Sequence, residues 1–328
     1  MTLSKEMFPM NSALCSILNI RYPIMQGAFQ WLATPELAAA VSNAGGLGTI
    51  SASLYKTKEE LLDAIAQTKA LTNNPFCVNI SMFPEVVEGE ATWDFIEACC
   101  QAKVPVVELS GRDPKPFVAP LHEAGCKIIH KSTAVRFAKK AAAAGVDVVS
   151  VVGFECGGAP GNDDVTSMVL IPSVVDAVDI PVIGGGGVCD GRSYLAMRAL
   201  GAQGVVIGTR FMATQECAIH PNFKQLLVDS DELSTMVVQR SIHFPHRNLK
   251  NETTLQVAEL EKDSNPSLDD IFPYVSGKRQ KKCYDSGDTQ GGVFPCGEVV
   301  GRIHDIPTVQ EVIDRIVAEA DAIAPTLQ

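Results

Sequence analysis

Eight short runs, apolar almost throughout, recur along the first two thirds of the chain, each followed by a stretch with helical signals. They read PIMQGA, LGTISA, FCVNISMF, VPVVELSG, KIIHKS, VDVVSVVG, PVIGGGG and AQGVVIGTRF. A strand with one wet face alternates apolar and polar residues, whereas a strand covered on both faces reads as a continuous apolar run and belongs in a parallel sheet. Eight strand–helix units ending near residue 212 predict an α/β fold, a (β/α)8 TIM barrel. A doubly wound open sheet is the alternative. It calls for fewer strands or a dinucleotide fingerprint, and no GxGxxG follows the first strand.

The punctuation between the runs supports helices. Thr34 reads as an N-cap, Pro35 as the first helical residue and Gly45 as the stop, while Thr57 and Glu60 have capping-box spacing. A further helix is expected around 89–101. After Met212 the pattern changes to helix-like stretches (PNFKQLLVDS, NETTLQVAELEKD) separated by polar loops, and the chain ends in the amphipathic TVQEVIDRIVAEADAIA. The expected organisation is a barrel over 1–212, a smaller, mostly helical substrate-side appendage over 213–305 near the barrel mouth, and a helix over 306–328 packing back on the body. That last helix has an apolar face that serves equally to pair two subunits or to close the barrel, so the oligomeric state stays open.

Composition narrows the partners. The net charge is −11, and the one basic cluster, GKRQKK at 277–282, reads as a solvated loop. A nucleic-acid footprint would be basic and clustered, so none is expected. No run approaches the ~18 apolar residues of a membrane span, and the first twenty residues lack a secretory apolar core. The expectation is a soluble, cytoplasmic protein. Ten scattered cysteines form no CxxC and no zinc spacing, so they read as reduced thiols, and no metal is expected.

In a barrel of this kind the loops after the strands build the site. The glycines Gly184–Gly187 after the seventh run, with Gly208 and Thr209 after the eighth, suit a phosphate held by main-chain N–H groups and a helix N-terminus near Gly191. The alternative is a tight turn at the barrel rim. Lys131 ends the fifth run, where it either carries positive charge into the site or is an exposed loop lysine. Asn79 is a site amide or a satisfied core asparagine. Gln30 and Trp31 either meet a flat ring or shape the first loop.

Taken together, PIMQGAFQW, ELAAAVSNAGGLGTISA, VNI, HKSTAV, GFECGGAPG, GGGGVCDG and GTRF resemble, in order and spacing, the nitronate monooxygenase (2-nitropropane dioxygenase) family. These are FMN-dependent barrels whose relatives include FabK-type enoyl reductases and NADH:quinone reductases. The resemblance covers essentially the whole chain, and FECGGAPGNDD with the tail looks most like the quinone-reductase branch. It implies FMN at the barrel mouth. Ala28, Phe29, Gln30, Asn79 and Lys131 would meet the ring, Gly158 would lie along the cofactor, and Gly186, Gly187, Gly208 and Thr209 would hold the phosphate.

One departure bears on the chemistry. The family usually carries a histidine in the loop after the sixth strand, and that position here is Ala159, which can neither take a proton nor contact substrate in its place. Poor deprotonation of neutral nitroalkanes is expected, while a nitronate, already an anion, suffers less. His130, His220, His243 and Glu155 are the other proton-acceptor candidates, each with a structural role as its plainer reading. The leading expectation is an FMN-dependent oxidiser of alkyl nitronates that uses dioxygen. The alternatives are an NAD(P)H:quinone reductase, an enoyl-thioester reductase, and a flavin-binding protein without turnover.

Overall fold

The structure, a computed structural model, describes residues 10, 12–82, 91–263 and 266–327. The eight runs form eight parallel strands, β1 (Ile24–Gln26), β2 (Gly48–Ser51), β3 (Phe76–Ser81), β4 (Val106–Ser110), β5 (Lys127–Ser132), β6 (Val148–Val152), β7 (Val182–Gly185) and β8 (Gly204–Ile207). Each pairs with its neighbour in sequence from β2 to β8, and β8 returns to pair with β1, with Ile24 opposite Val205. The last seam, between β1 and β2, carries a single bridge, Met25 to Leu47. Side chains complete it. Gln26 Nε2 donates to the Thr49 carbonyl (2.9 Å), Thr49 N–H donates to Gln26 Oε1 (3.2 Å), and the Thr49 hydroxyl donates to the Gln26 carbonyl (2.8 Å). A fully buried glutamine inside an apolar strand is thereby satisfied, and it holds the barrel closed rather than reaching the mouth.

Alternation along each strand separates two cores. Met25, Leu47, Cys77, Val106, Ile129, Val148 and Ile183 fill the barrel interior, joined from below by Leu14 and Leu18 of the helix Ala13–Leu18. Ile24, Val78, Val107, Ile128, Val149, Val182 and Val205 face the surrounding helices. Both faces are dry, as the sequence pattern requires. The helix Pro35–Asn43 begins with its proline, and Gly45 turns the chain at φ 95°, but the Thr34 hydroxyl makes no cap bond. Thr57 does cap its helix, accepting from Glu60 N–H, while Glu60 reaches back to the N–H of Lys56 instead of Thr57. Of the helix expected around 89–101, the described part is Thr92–Ala102, and residues 89 and 90 lie outside the described residues. So do residues 1–9, where a secretory core was looked for.

Beyond β8 the chain contains helices and also an antiparallel pair, β9 (Thr235–Val238) and β10 (His246–Leu249). The basic run GKRQKK is helical and opens the helix Gly277–Ser286 rather than forming a loop; its Gln280 is buried. The final helix, Val309–Ile323, packs against the helices Gly191–Ala199 and Pro35–Asn43. It buries Val309, Val312, Ile313, Ile316 and Ala320, so its apolar face is spent on the body of the barrel. All ten cysteines are free thiols, and among the described residues no helix is long and apolar enough to cross a membrane.

Candidate active site

A cavity of about 770 Å³ opens at the C-terminal ends of the strands. Its walls include Ala28, Phe29, Gln30, Asn79, Lys131, Gly158, Ala159, Gly186, Gly187, Gly208 and Thr209, so the residues that the resemblance assigns to the cofactor meet at one place, whereas Trp31, Gly184, Gly185 and His220 do not line it. Residues after β8 supply part of the wall, chiefly His243–His246, Gln280, Val293, Pro295 and Gly297.

One end is a cradle of main-chain donors. Among the described residues, the N–H groups of Gly186, Gly187, Gly208 and Thr209 find no acceptor within the chain. Gly186 is at φ 96°, and a Cβ there would stand 2.6 Å from Ser167 Oγ, so only glycine fits. Gly208 differs: a Cβ on it would meet nothing within 4 Å and would project into empty space. Unpaired N–H groups lining one end of a cavity suit an oxyanion. The helix Gly191–Ala199 does not take part in the way its sequence position suggests. Asp190 accepts from Ser193 N–H and Glu319 accepts from Gly191 N–H, so the chain's own carboxylates occupy its N-terminus.

The floor is polar and charged. Asn79, Glu108 and Lys131 each stand two residues beyond an interior apolar residue (Cys77, Val106 and Ile129), which puts all three on the inner face of the barrel, one layer nearer the mouth. Asn79 lies opposite Glu108 across the β3–β4 ladder, and its Nδ2 donates to Glu108 Oε2 at 2.7 Å. Burial raises the Glu108 carboxyl above its ordinary value, while the Lys131 charge and the Asn79 hydrogen bond pull it back down. Asn79 is thus both a wall of the cavity and a satisfied buried amide.

The loop after β6 places Ala159 in the cavity wall with no proton-carrying group of its own. Glu155 receives the N–H of Ser167 on both carboxylate oxygens (3.2 Å each), so it caps the following helix. His130 is held at both ring nitrogens, by Ser132 Oγ (2.9 Å) and the Arg112 carbonyl (3.1 Å), and burial lowers its affinity for a proton. His220 accepts from Asn222 N–H at the start of its helix, away from the cavity. His243 is exposed at the rim.

Sequence reasoning missed His246. It begins β10, and β10 is docked on the β6 loop by two main-chain bonds, Gly158 N–H to the Arg247 carbonyl (3.0 Å) and Arg247 N–H to the Gly158 carbonyl (2.7 Å). Arg247 is buried beneath, donating to the Phe154 carbonyl and paired with Glu298 at 2.8 Å. The imidazole of His246 lines the cavity within about 4 Å of the position a Gly158 side chain would take. Nothing local in HFPHRNL marks this residue, because its place is set by a pairing across about ninety residues of sequence.

The comparisons with known proteins agree with this geometry. The model of the nitronate monooxygenase family matches residues 11–319. A 5-hydroxy-7a-methyl-1-oxo-octahydro-1H-indene-4-carboxyl-CoA dehydrogenase of Rhodococcus jostii is 34% identical, over 96% of this chain and 97% of its own. A probable nitronate monooxygenase of Staphylococcus saprophyticus is 31% identical over 86% of this chain and 90% of its own. The solved structure of FabK from Thermotoga maritima superposes with a TM-score of 0.89 at 33% identity, covering 97% of this chain and 98% of that one. The chain belongs to the nitronate monooxygenase family, a family of oxidoreductases.

Proposed function

We propose that the cavity binds FMN and that the protein oxidises alkyl nitronates with dioxygen. The carrying observation is one cavity with two ends: unpaired N–H groups at Gly186, Gly187, Gly208 and Thr209, and the ammonium of Lys131 beside Asn79. The cradle fits the phosphate of FMN, and the space left open above Gly208 fits a group held there. FMN, when bound, supplies the two-electron acceptor and the route to dioxygen. Ala28, Phe29, Gln30 and Gly158 line the cavity where they would contact the ring, and Lys131 would oppose negative charge on ring or substrate. Ala159 asks nothing of a substrate that has already lost its proton, which favours the nitronate over the neutral nitroalkane.

A second reading, an oxidoreductase acting on a thioester, is favoured by the relative named for a carboxyl-CoA compound and by the way the cavity extends to a rim with Arg112, Lys140 and Phe137. Anaerobic mixing separates the readings. Bleaching of the flavin by ethyl nitronate supports the first. Bleaching by NADH or NADPH alone, reversed by a quinone or by an enoyl-CoA, replaces it with a reductase.

A further inference from the structure

The described histidines differ in how their ring nitrogens are used. His130 has both nitrogens engaged, and His220 spends Nδ1 on a helix cap. In His246 the tautomer follows from its neighbour. Asn248 Nδ2 donates to the His246 carbonyl at 2.9 Å, which turns Asn248 Oδ1 toward the ring, 3.2 Å from Nδ1. An amide oxygen can only accept, so Nδ1 carries the hydrogen and Nε2 presents a lone pair. Among the described residues no protein donor meets Nε2. It lies 3.7 Å from where a Gly158 Cβ would be, beside Ala159 on the cavity wall. Phe244 stacks on the ring at 5.8 Å between centroids and fixes its plane.

We infer that His246 is the proton acceptor of this site, an appended-strand imidazole that serves where the barrel loop has only Ala159. The inference rests on the flavin-dependent reading above and extends its substrates to neutral carbon acids of the nitroalkane type. In the step it assigns, the C–H bond next to the nitro group breaks and its proton goes to Nε2. The electron pair delocalises onto the nitro oxygens, whose charge Lys131 opposes from the same cavity. The nitronate so formed is the substrate of the proposed oxidation, for which bound FMN would supply the electron acceptor.

The electrostatics keep Nε2 available. Burial lowers the imidazole to about 4 against the opposing effect of the Asn248 bond, and the Lys131 charge adds a smaller lowering effect. Glu155 shares the cavity wall, and the neighbouring Arg247 is paired with Glu298 at 2.8 Å. Lys131 is the charge the ring feels. The acceptor is therefore unprotonated at any ordinary pH, and its low basicity slows proton removal without blocking it.

The test has two arms. In the first, the FMN-loaded and flavin-free proteins are treated with diethyl pyrocarbonate, which acylates an unprotonated imidazole nitrogen, and the modified residues are mapped by mass spectrometry. Acylation of His246 is expected to persist from neutral pH down to about pH 5, below the ordinary imidazole range. No modification at His246, or loss of it by about pH 6.5, overturns the assignment whether or not flavin binds. In the second arm, anaerobic flavin reduction by nitroethane is compared with that by ethyl nitronate in wild type, His246→Gln and His246→Ala. Nitroethane-driven reduction is expected to fall about 10²-fold while the nitronate rate stays within about threefold. An equal fall for both substrates, or none for either, overturns it. A protein that holds no FMN but acylates as described contradicts the flavin reading and leaves His246 as the accessible acceptor of the cavity.

Discussion

Asn79 and Glu108 sit side by side on β3 and β4, and the amide of one donates to the carboxylate of the other across 2.7 Å in the barrel interior. Both are buried, and Asn79 alone reaches the cavity. Removing the amide leaves the carboxyl without its donor. Asn79→Ala is expected to cost about 2–3 kcal/mol in urea unfolding of the flavin-free protein. Because Glu108 is raised in the native state, its favourable contribution is present at low pH and is lost as pH rises through its native value. Glu108→Gln should therefore gain stability relative to wild type at neutral pH more than at pH near 4. Identical differences at both would place the carboxyl elsewhere than in this buried pair.

Gly208 offers a separation of folding from binding. A side chain there meets no protein atom, so Gly208→Val should unfold within about 0.5 kcal/mol of wild type. It occupies the open space beside the unpaired N–H groups, so FMN retention should fall at least about tenfold, read by fluorescence titration of released flavin. Unchanged flavin affinity would remove the phosphate from this end of the cavity.

Lys131→Met deletes the positive charge that faces both Glu108 and the cavity. Weaker FMN retention or slower flavin reduction is expected, by about 10–10²-fold in rate. Wild-type occupancy and rates in this variant would take the lysine out of the site. The same substitution relieves His246 of the one charge that disfavours its protonation, so the acid limit of its acylation should move up.

His246 also links stability to acid. Its native imidazole binds a proton near 4, below the ordinary unfolded value of about 6.5, so the unfolded chain takes up protons in this interval that the native one does not. Stability then falls as pH drops from about 6.5 toward about 4, and His130, lowered as well, adds to the fall. Urea midpoints of the flavin-free protein should decline less over this interval in His246→Gln than in wild type. Equal declines would show the ring to be open to water.

Ala159→His restores an imidazole to the β6 loop. Combined with His246→Gln, it should recover nitroethane-driven flavin reduction, since either position can present a proton acceptor to the same cavity. A double variant no better than His246→Gln would show that the two positions do not serve the same substrate carbon.

The barrel was legible because its strands are dry on both faces, so each left an apolar run bounded by glycine or proline. The glycine run after β7 was legible because Gly186 is at φ 96° and a Cβ there would meet Ser167, a backbone demand that leaves a local mark in the sequence. Other features were not. Gln26 closes the β1–β2 seam, a role with no local signal, since what it meets is Thr49 on the neighbouring strand. Strand β10 leaves no strand pattern because HRNL is polar, and its burial rests on the Arg247–Glu298 pair and the Phe154 carbonyl rather than on apolar alternation. His246 was hidden with it. A residue whose role depends on where a distant strand docks leaves no periodic signal.

Flavin binding and redox chemistry in this cavity are read in one experiment. The most direct measurement is anaerobic: the purified protein is loaded with FMN, its flavin stoichiometry is determined, and ethyl nitronate, NADH and NADPH are mixed in separately while the oxidised flavin band is followed. One flavin per chain, bleached by the nitronate and restored by dioxygen, is the predicted result. A colourless protein that takes up no added FMN would contradict the account at its base.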